Sequence, residues 1–181
     1  MNLPIYTYNH PVLKEKTQPI SHMTDDLRTL IDNMFSTMYH ARGIGLAANQ
    51  VGMSLSLTVI DVGESVEDGG DAEQLVLINP VIEAVSDEEE SFEEGCLSLP
   101  DYHDVVIRPS AIQVRFLDRD LREQVREVDG ILARVMQHEI DHLNGIYFFE
   151  RLSPIRKTLA AGKLKRIARG DIEPAYEIVR G

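Results

Sequence analysis

Two histidines four residues apart, the first followed at once by a glutamate, are the residues of this chain best placed to do chemistry: Gln137-His138-Glu139-Ile140-Asp141-His142. On a helix of 3.6 residues per turn, His138 and His142 stand one above the other, about 40° apart around the axis. Both rings can then reach one metal ion. Glu139 points about 100° away from His138, so it flanks the ion instead of binding it. This is the H-E-x-x-H pattern, in which the carboxylate takes a proton from a water held by the metal. Ile131 and Val135 fall on the face of His138, so the ligands rise from an apolar stripe. The plainer reading is two surface histidines on an ordinary helix, because the pattern is short.

A catalytic metal with three protein ligands needs one more donor. An extended form of the motif would put a third histidine where Phe148 stands, which closes that route. The downstream glutamates are Glu150, close to the helix end, and Glu173 and Glu177, in a polar tail. Cys96 is the chain's single cysteine, so it forms no internal disulfide. Gly95 before it and Pro100 after it mark a strand broken by a turn or bulge, which can present a thiol outward. Thiolates bind Zn²⁺ and Fe²⁺ strongly, and the metal lowers the thiol pKa. Cys96 is therefore the favoured third ligand; the alternative is a buried thiol acting as a small hydrophobe.

The elements that must carry these residues follow from patterning. Residues 1–22, with Pro4, Pro11 and Pro19, read as an extended, partly packed arm. Thr24 caps a helix whose Leu27, Leu30, Ile31, Met34, Phe35 and Met38 form a core-facing stripe ending before Gly43. Gly43-Ile44-Gly45-Leu46-Ala47-Ala48-Asn49-Gln50 lets the backbone approach another surface closely, with the Gln50 amide at its end. No lysine follows to make it a phosphate loop. Leu55, Leu57 and Val59 alternate with polar residues, as in a half-buried strand running to about Val62. Gly63–Glu73 reads as a solvated acidic loop, and Leu75–Ile78 and Val81–Val85 as two strands bent at Asn79-Pro80. Asp87-Glu88-Glu89-Glu90 reads as a solvated hairpin tip. Further strands are expected at Val105–Arg108, at Ile112–Phe116 and at Leu121–Val128, then the helix of the histidines, ended by Gly145. Tyr147, Phe148 and Phe149 are core or subsite walls.

At 181 residues, 43% hydrophobic and 27% charged, the chain is expected to form one domain, residues 1–181, with its own core. No apolar run reaches the roughly 18 residues of a membrane span and Met1-Asn2-Leu3-Pro4 opens no signal peptide, so the expected location is the cytoplasm, with no membrane partner. Residues 151–181 hold eight Lys or Arg against three Asp or Glu, so the rest carries more than the whole net charge of −12. An acidic body of this kind does not bind nucleic acid through its main surface. The basic segment 151–169, where Ile155, Leu159 and Ile167 give a partial stripe, reads as a docked C-terminal helix with a cationic outer face. A sharper reading is contact with ribosomal RNA.

Three segments in order carry a family resemblance. Gly43-Ile44-Gly45-Leu46-Ala47-Ala48-Asn49-Gln50, Glu94-Gly95-Cys96-Leu97-Ser98 and Gln137-His138-Glu139-Ile140-Asp141-His142-Leu143 resemble the motifs G-x-G-x-A-A-x-Q, E-G-C-L-S and Q-H-E-x-D-H-L of the peptide deformylases. The resemblance spans about residues 5–155, and three motifs in one order are highly specific. It implies an α+β fold of antiparallel sheets packed around a central metal-binding helix, with an N-terminal and a C-terminal helix. It implies a hydrolase that removes the formyl group from the N-terminal formyl-methionine of nascent chains and releases formate.

By the same resemblance Cys96, His138 and His142 hold one divalent ion, Fe²⁺ in this family, which Zn²⁺, Ni²⁺ or Co²⁺ can replace; spacing alone would have suggested zinc. Glu139 is then the base, and Gln50, the Leu97 backbone N–H and the metal receive the oxyanion, with the Gly45 backbone against the substrate. Ile44, Phe92, Ile131, Arg134 and Val135 surround the methionine, Arg134 through its aliphatic stem. Glu94 and Arg108 pair to brace the cysteine turn, and His103 lies where a basic residue can touch the peptide. Asn49 stands at a position that varies in the family and costs the resemblance little. A monomer is expected. Two other readings are an H-E-x-x-H zinc endopeptidase using a downstream glutamate, which would have no use for Cys96, and a structural metal module, which would need a fourth protein ligand.

Overall fold

The computed structural model describes residues 1–63 and 74–181. The acidic loop expected over Gly63–Glu73 lies, Gly63 apart, outside the described residues. In chain order the strands and helices are β1 (Ile5–Tyr6), α1 (Asp25–His40), β2 (Gly45–Ala47), β3 (Leu57–Ile60), β4 (Leu75–Val85), β5 (Glu89–Cys96), β6 (Leu99–Pro109), β7 (Ala111–Leu117), β8 (Glu123–Asp129), α2 (Gly130–Leu143), α3 (Pro154–Arg169) and β9 (Ile178–Val179). An antiparallel five-stranded sheet runs β2-β3-β4-β7-β8, an antiparallel ribbon joins β5 to β6, and β1 pairs in parallel with β9. This is the expected α+β arrangement.

Helix α1 begins where the Thr24 hydroxyl accepts the Leu27 N–H at 3.1 Å. Its Leu27, Ile31, Met34, Phe35 and Met38 pack with Leu57, Val59, Val76 and Ile78 on one face of the five-stranded sheet. The opposite face, from Ile60, Leu75, Leu77, Val114 and Phe116, receives Ala133, Val135, Met136 and Ile140 of α2. The outer side of α2 meets the β5–β6 ribbon and a third cluster, in which Tyr102, Tyr147 and Phe148 pack against Ala160, Leu164 and Ile167 of α3. So α2 lies between two layers, and every residue from Ala133 to Leu143 is buried.

Several expectations change. β3 is buried on both sides, not half-buried, because α1 and α2 cover opposite faces. Thr58 survives there because its hydroxyl donates to the Leu46 carbonyl at 3.0 Å. The two strands expected around Asn79-Pro80 are one, β4, with a register shift between Ile78 and Val81. Pro80 has no N–H to give the ladder, and a bulge absorbs it. Asp87–Glu90 is not a hairpin tip: the segment crosses between sheets, and Glu89 and Glu90 already pair with Pro109 and Arg108 in the ribbon. In α3 the buried stripe is Ala160, Leu164 and Ile167, while Ile155 and Leu159 are 75% exposed. The polar C-terminal tail contributes β9. No helix among the described residues is long and apolar enough to cross a membrane.

Candidate active site

The site lies where the end of β5 meets α2. Gly95 pairs with His103 but Cys96 with Leu99, so the ribbon shifts register at the cysteine. A Cβ on Gly95 would lie 2.5 Å from the His103 ring, which is why glycine stands there. The shift turns the thiol towards α2. Its Sγ lies 3.2 Å from His142 Nε2, which lies 3.2 Å from His138 Nε2. The three ligand atoms fall within 4.8 Å of one another.

That triangle fits a small divalent cation. Bonds of about 2.3 Å to sulfur and about 2.0–2.1 Å to nitrogen at tetrahedral angles put ligand atoms roughly 3.3–3.6 Å apart. The Glu94 carboxylate, an acceptor only, lies 2.9 Å from His138 Nδ1. The ring proton therefore sits on Nδ1 and leaves the Nε2 lone pair for a metal. Burial above all lowers the His142 pKa well below its ordinary value, which keeps that ring neutral and able to ligate. No fourth His, Cys, Asp or Glu joins the group among the described residues, so a coordination place stays open.

Glu139 is 4% exposed, and its Oε2 is buried without a hydrogen-bond partner. Burial raises its carboxyl to about 7. A carboxylate held there can both take and return a proton near neutral pH. Beside it, a Cβ on Gly45 would come within 2.5 Å of Glu139 Oε1, so only a glycine lets β2 lie this close.

Gln50 sits on the one-turn 3-10 helix Ala48–Val51. Its Oε1 accepts the Ala47 N–H at 2.9 Å, which fixes the amide, and its Nε2 lies 3.1 Å from Ser98 Oγ and 3.5 Å from Cys96 Sγ. The Gln50 donors thus face the cysteine turn. A cavity of about 430 Å³ opens over this floor and is lined by Ile44, Gly45, Gln50, Phe92, Cys96, Leu97, Ile131, Arg134, Val135, His138 and Glu139. Of the residues expected to act in catalysis, to line the substrate pocket or to hold the metal, only His142 is absent from the lining, since it is buried below.

Arg134 does more than offer its stem. Its guanidinium reaches Glu94 Oε1 at 3.0 Å, the Val106 carbonyl at 3.1 Å and the Glu90 carbonyl at 2.6 Å, tying α2 to both ribbon strands. The expected Glu94–Arg108 pair is present, with Nε to Oε1 at 2.6 Å. It extends further than the sequence suggested: Arg108 also meets Asp141 at 2.7 Å, and Arg151 meets Asp141 at 2.5 Å. Asn49 has a role that its place in the motif does not announce. It is fully buried, and its amide donates to the His142 carbonyl at 2.6 Å, so it holds the ligand helix. Ser98 of the cysteine motif is also fully buried and accepts the Gln50 amide at 3.1 Å.

The sequence matches the family model described as polypeptide deformylase over residues 2–158. A peptide deformylase of Salinibacter ruber is 42% identical over 185 residues, covering 99% of this chain and 95% of that protein. One from Cytophaga hutchinsonii is 42% identical, covering 98% of this chain and 97% of that protein. Among solved structures, a peptide deformylase from Legionella pneumophila superposes with a TM-score of 0.83 at 39% identity, over 96% of this chain and 100% of that one. That from Ehrlichia chaffeensis gives 0.85 at 37% identity, over 94% and 99%.

Proposed function

Because this chain belongs to the polypeptide deformylase family, we propose that it hydrolyses the formyl amide at the N-terminal methionine of nascent polypeptides, releasing formate and a free amine. The observation that carries this reading is the convergence of Cys96, His138 and His142 beside the unpartnered carboxylate oxygen of Glu139. Those three residues hold the ion, taken to be Fe²⁺ and replaceable by Zn²⁺, Ni²⁺ or Co²⁺. When bound, the ion supplies Lewis acidity and makes water a nucleophile near neutral pH.

The chain's own groups do the rest. Glu139 accepts the proton of the attacking water and delivers it to the leaving nitrogen. The Leu97 N–H and the Gln50 amide receive the oxygen on which charge develops, and the backbone at Gly45 aligns the peptide. Ile44, Phe92, Ile131, Val135 and the Arg134 stem take the methionine side chain.

The endopeptidase reading lacks its glutamate: Glu150 bonds Lys14 at 2.6 Å, and Glu173 and Glu177 are exposed, outside the ligand group. The enzyme acts as a cytoplasmic monomer, and the cationic segment 151–169 brings it to the ribosome. Formate release from a formyl-methionyl peptide, measured without oxygen on iron, nickel and zinc forms, tests the reading. Activity is expected to be greatest with iron or nickel, and no formate from any form would reject it.

A further inference from the structure

The C-terminal segment returns to the cysteine turn. Ile5 N–H donates to the Glu177 carbonyl and Thr7 N–H to the Val179 carbonyl, each at 2.9 Å, which seats β9 against β1. That seating carries Tyr176 into the wall of the cavity, where its hydroxyl donates to the Leu97 carbonyl at 2.8 Å. The next carbonyl, of Ser98, accepts the Tyr8 N–H at 2.9 Å. Both carbonyls of the turn are thus held from outside the ribbon. Burial and the neighbouring Cys96 raise the Tyr176 pKa, so its hydroxyl remains a donor.

We propose that Tyr176 is a positioning residue for deformylation, which fixes the turn that aims the Leu97 amide into the cavity. The inference rests on the deformylase reading and on Leu97 as an oxyanion donor. The amide plane of Leu97 lies between two anchors, Cys96 on one side and the Leu97 carbonyl on the other. The Leu97 carbonyl belongs to the next peptide unit, so holding it together with Cys96 restricts the dihedrals around Leu97 and limits how far the amide between them can turn. Without the hydroxyl, the second anchor is lost and the donor must be organised during the reaction. Such a loss falls on kcat and leaves KM unchanged.

The test compares wild type, Tyr176→Phe and Glu177→Ala as nickel-loaded enzymes on a formyl-methionyl peptide. Tyr176→Phe is expected to lower kcat about fivefold, the scale of one hydrogen bond, with KM and metal content unchanged and Tm lowered by no more than a few degrees. Glu177→Ala, an exposed neighbour, is expected to match wild type. In the zinc-loaded protein, ¹⁵N order parameters at Leu97 are expected to fall in Tyr176→Phe while Ile178 and Val179 keep theirs. A Tyr176→Phe kcat equal to wild type overturns the proposal. So does a loss matched by Glu177→Ala, or one that follows metal content, since that would be general damage. A wild type that releases no formate sinks the deformylase reading itself, and this inference with it.

Discussion

Gly45 and Glu139 occupy nearly the same space, and that closeness makes a substitution far from the metal ligands in sequence a test of the proposed base. A methyl group at 45 would meet Oε1 at 2.5 Å, and Glu139 is too buried to swing aside freely. Gly45→Ala is expected to fold and to lose at least about tenfold in formate release with metal retained, since a small misplacement of a proton acceptor costs that much or more. Glu139→Ala is expected to keep its metal and to lose about 10³-fold or more in turnover, read by elemental analysis beside a formate assay. Unchanged turnover in a metal-replete sample would remove Glu139 from its role. At this scale the motifs were readable because helix periodicity fixes His138, Glu139 and His142 relative to each other. Asn49 was not readable: its partner carbonyl belongs to His142, far along the chain, and nothing local announces it.

Between elements, a chain of buried charges holds the ribbon to α2. Glu94 accepts from Arg108, Arg134 and His138, and Arg108 continues to Asp141. Glu94 would be raised by burial, yet the His138 and Arg108 hydrogen bonds outweigh that and hold its carboxyl far below the ordinary range. Arg108 is 3% exposed. Arg108→Ala therefore leaves two carboxylates buried with a partner missing, and is expected to cost about 3–5 kcal/mol in urea unfolding. A loss below about 1 kcal/mol would mean that solvent replaces the guanidinium. The sequence revealed Glu94 and Arg108 as a pair but not the extension to Asp141 and Arg151, because side chains on α2 and after it point there only once the ribbon has docked. The same cause explains β3. Alternation shows one apolar face, and burial of the other depends on a helix more than seventy residues later. In α3 the leucine and isoleucine count suggested one stripe, whereas the docked face follows Ala160, a residue too small to stand out in a hydrophobicity pattern.

Across the whole molecule, charge is segregated: the basic helix α3 is attached to an acidic body. The proposed ribosome contact through α3 would be a matter of long-range electrostatics and would weaken steeply with salt. Lys163 lies 5.3 Å over the Tyr102 ring, so Lys165→Glu with Arg166→Glu is the cleaner reversal. That pair is expected to reduce co-sedimentation with ribosomes at low salt at least about tenfold while leaving turnover of a short peptide unchanged. Retained co-sedimentation would show that α3 serves only as packing.

The pairing of β1 with β9 also sets an order of assembly. Translation is vectorial, and the ligand helix leaves the ribosome before the segment bearing Tyr176 does. The ion's three ligands can therefore gather while one wall of the cleft is still being made. Maturation of such an enzyme would run in two stages, metal capture first and full turnover later, with the final stage waiting on the arrival of a tyrosine.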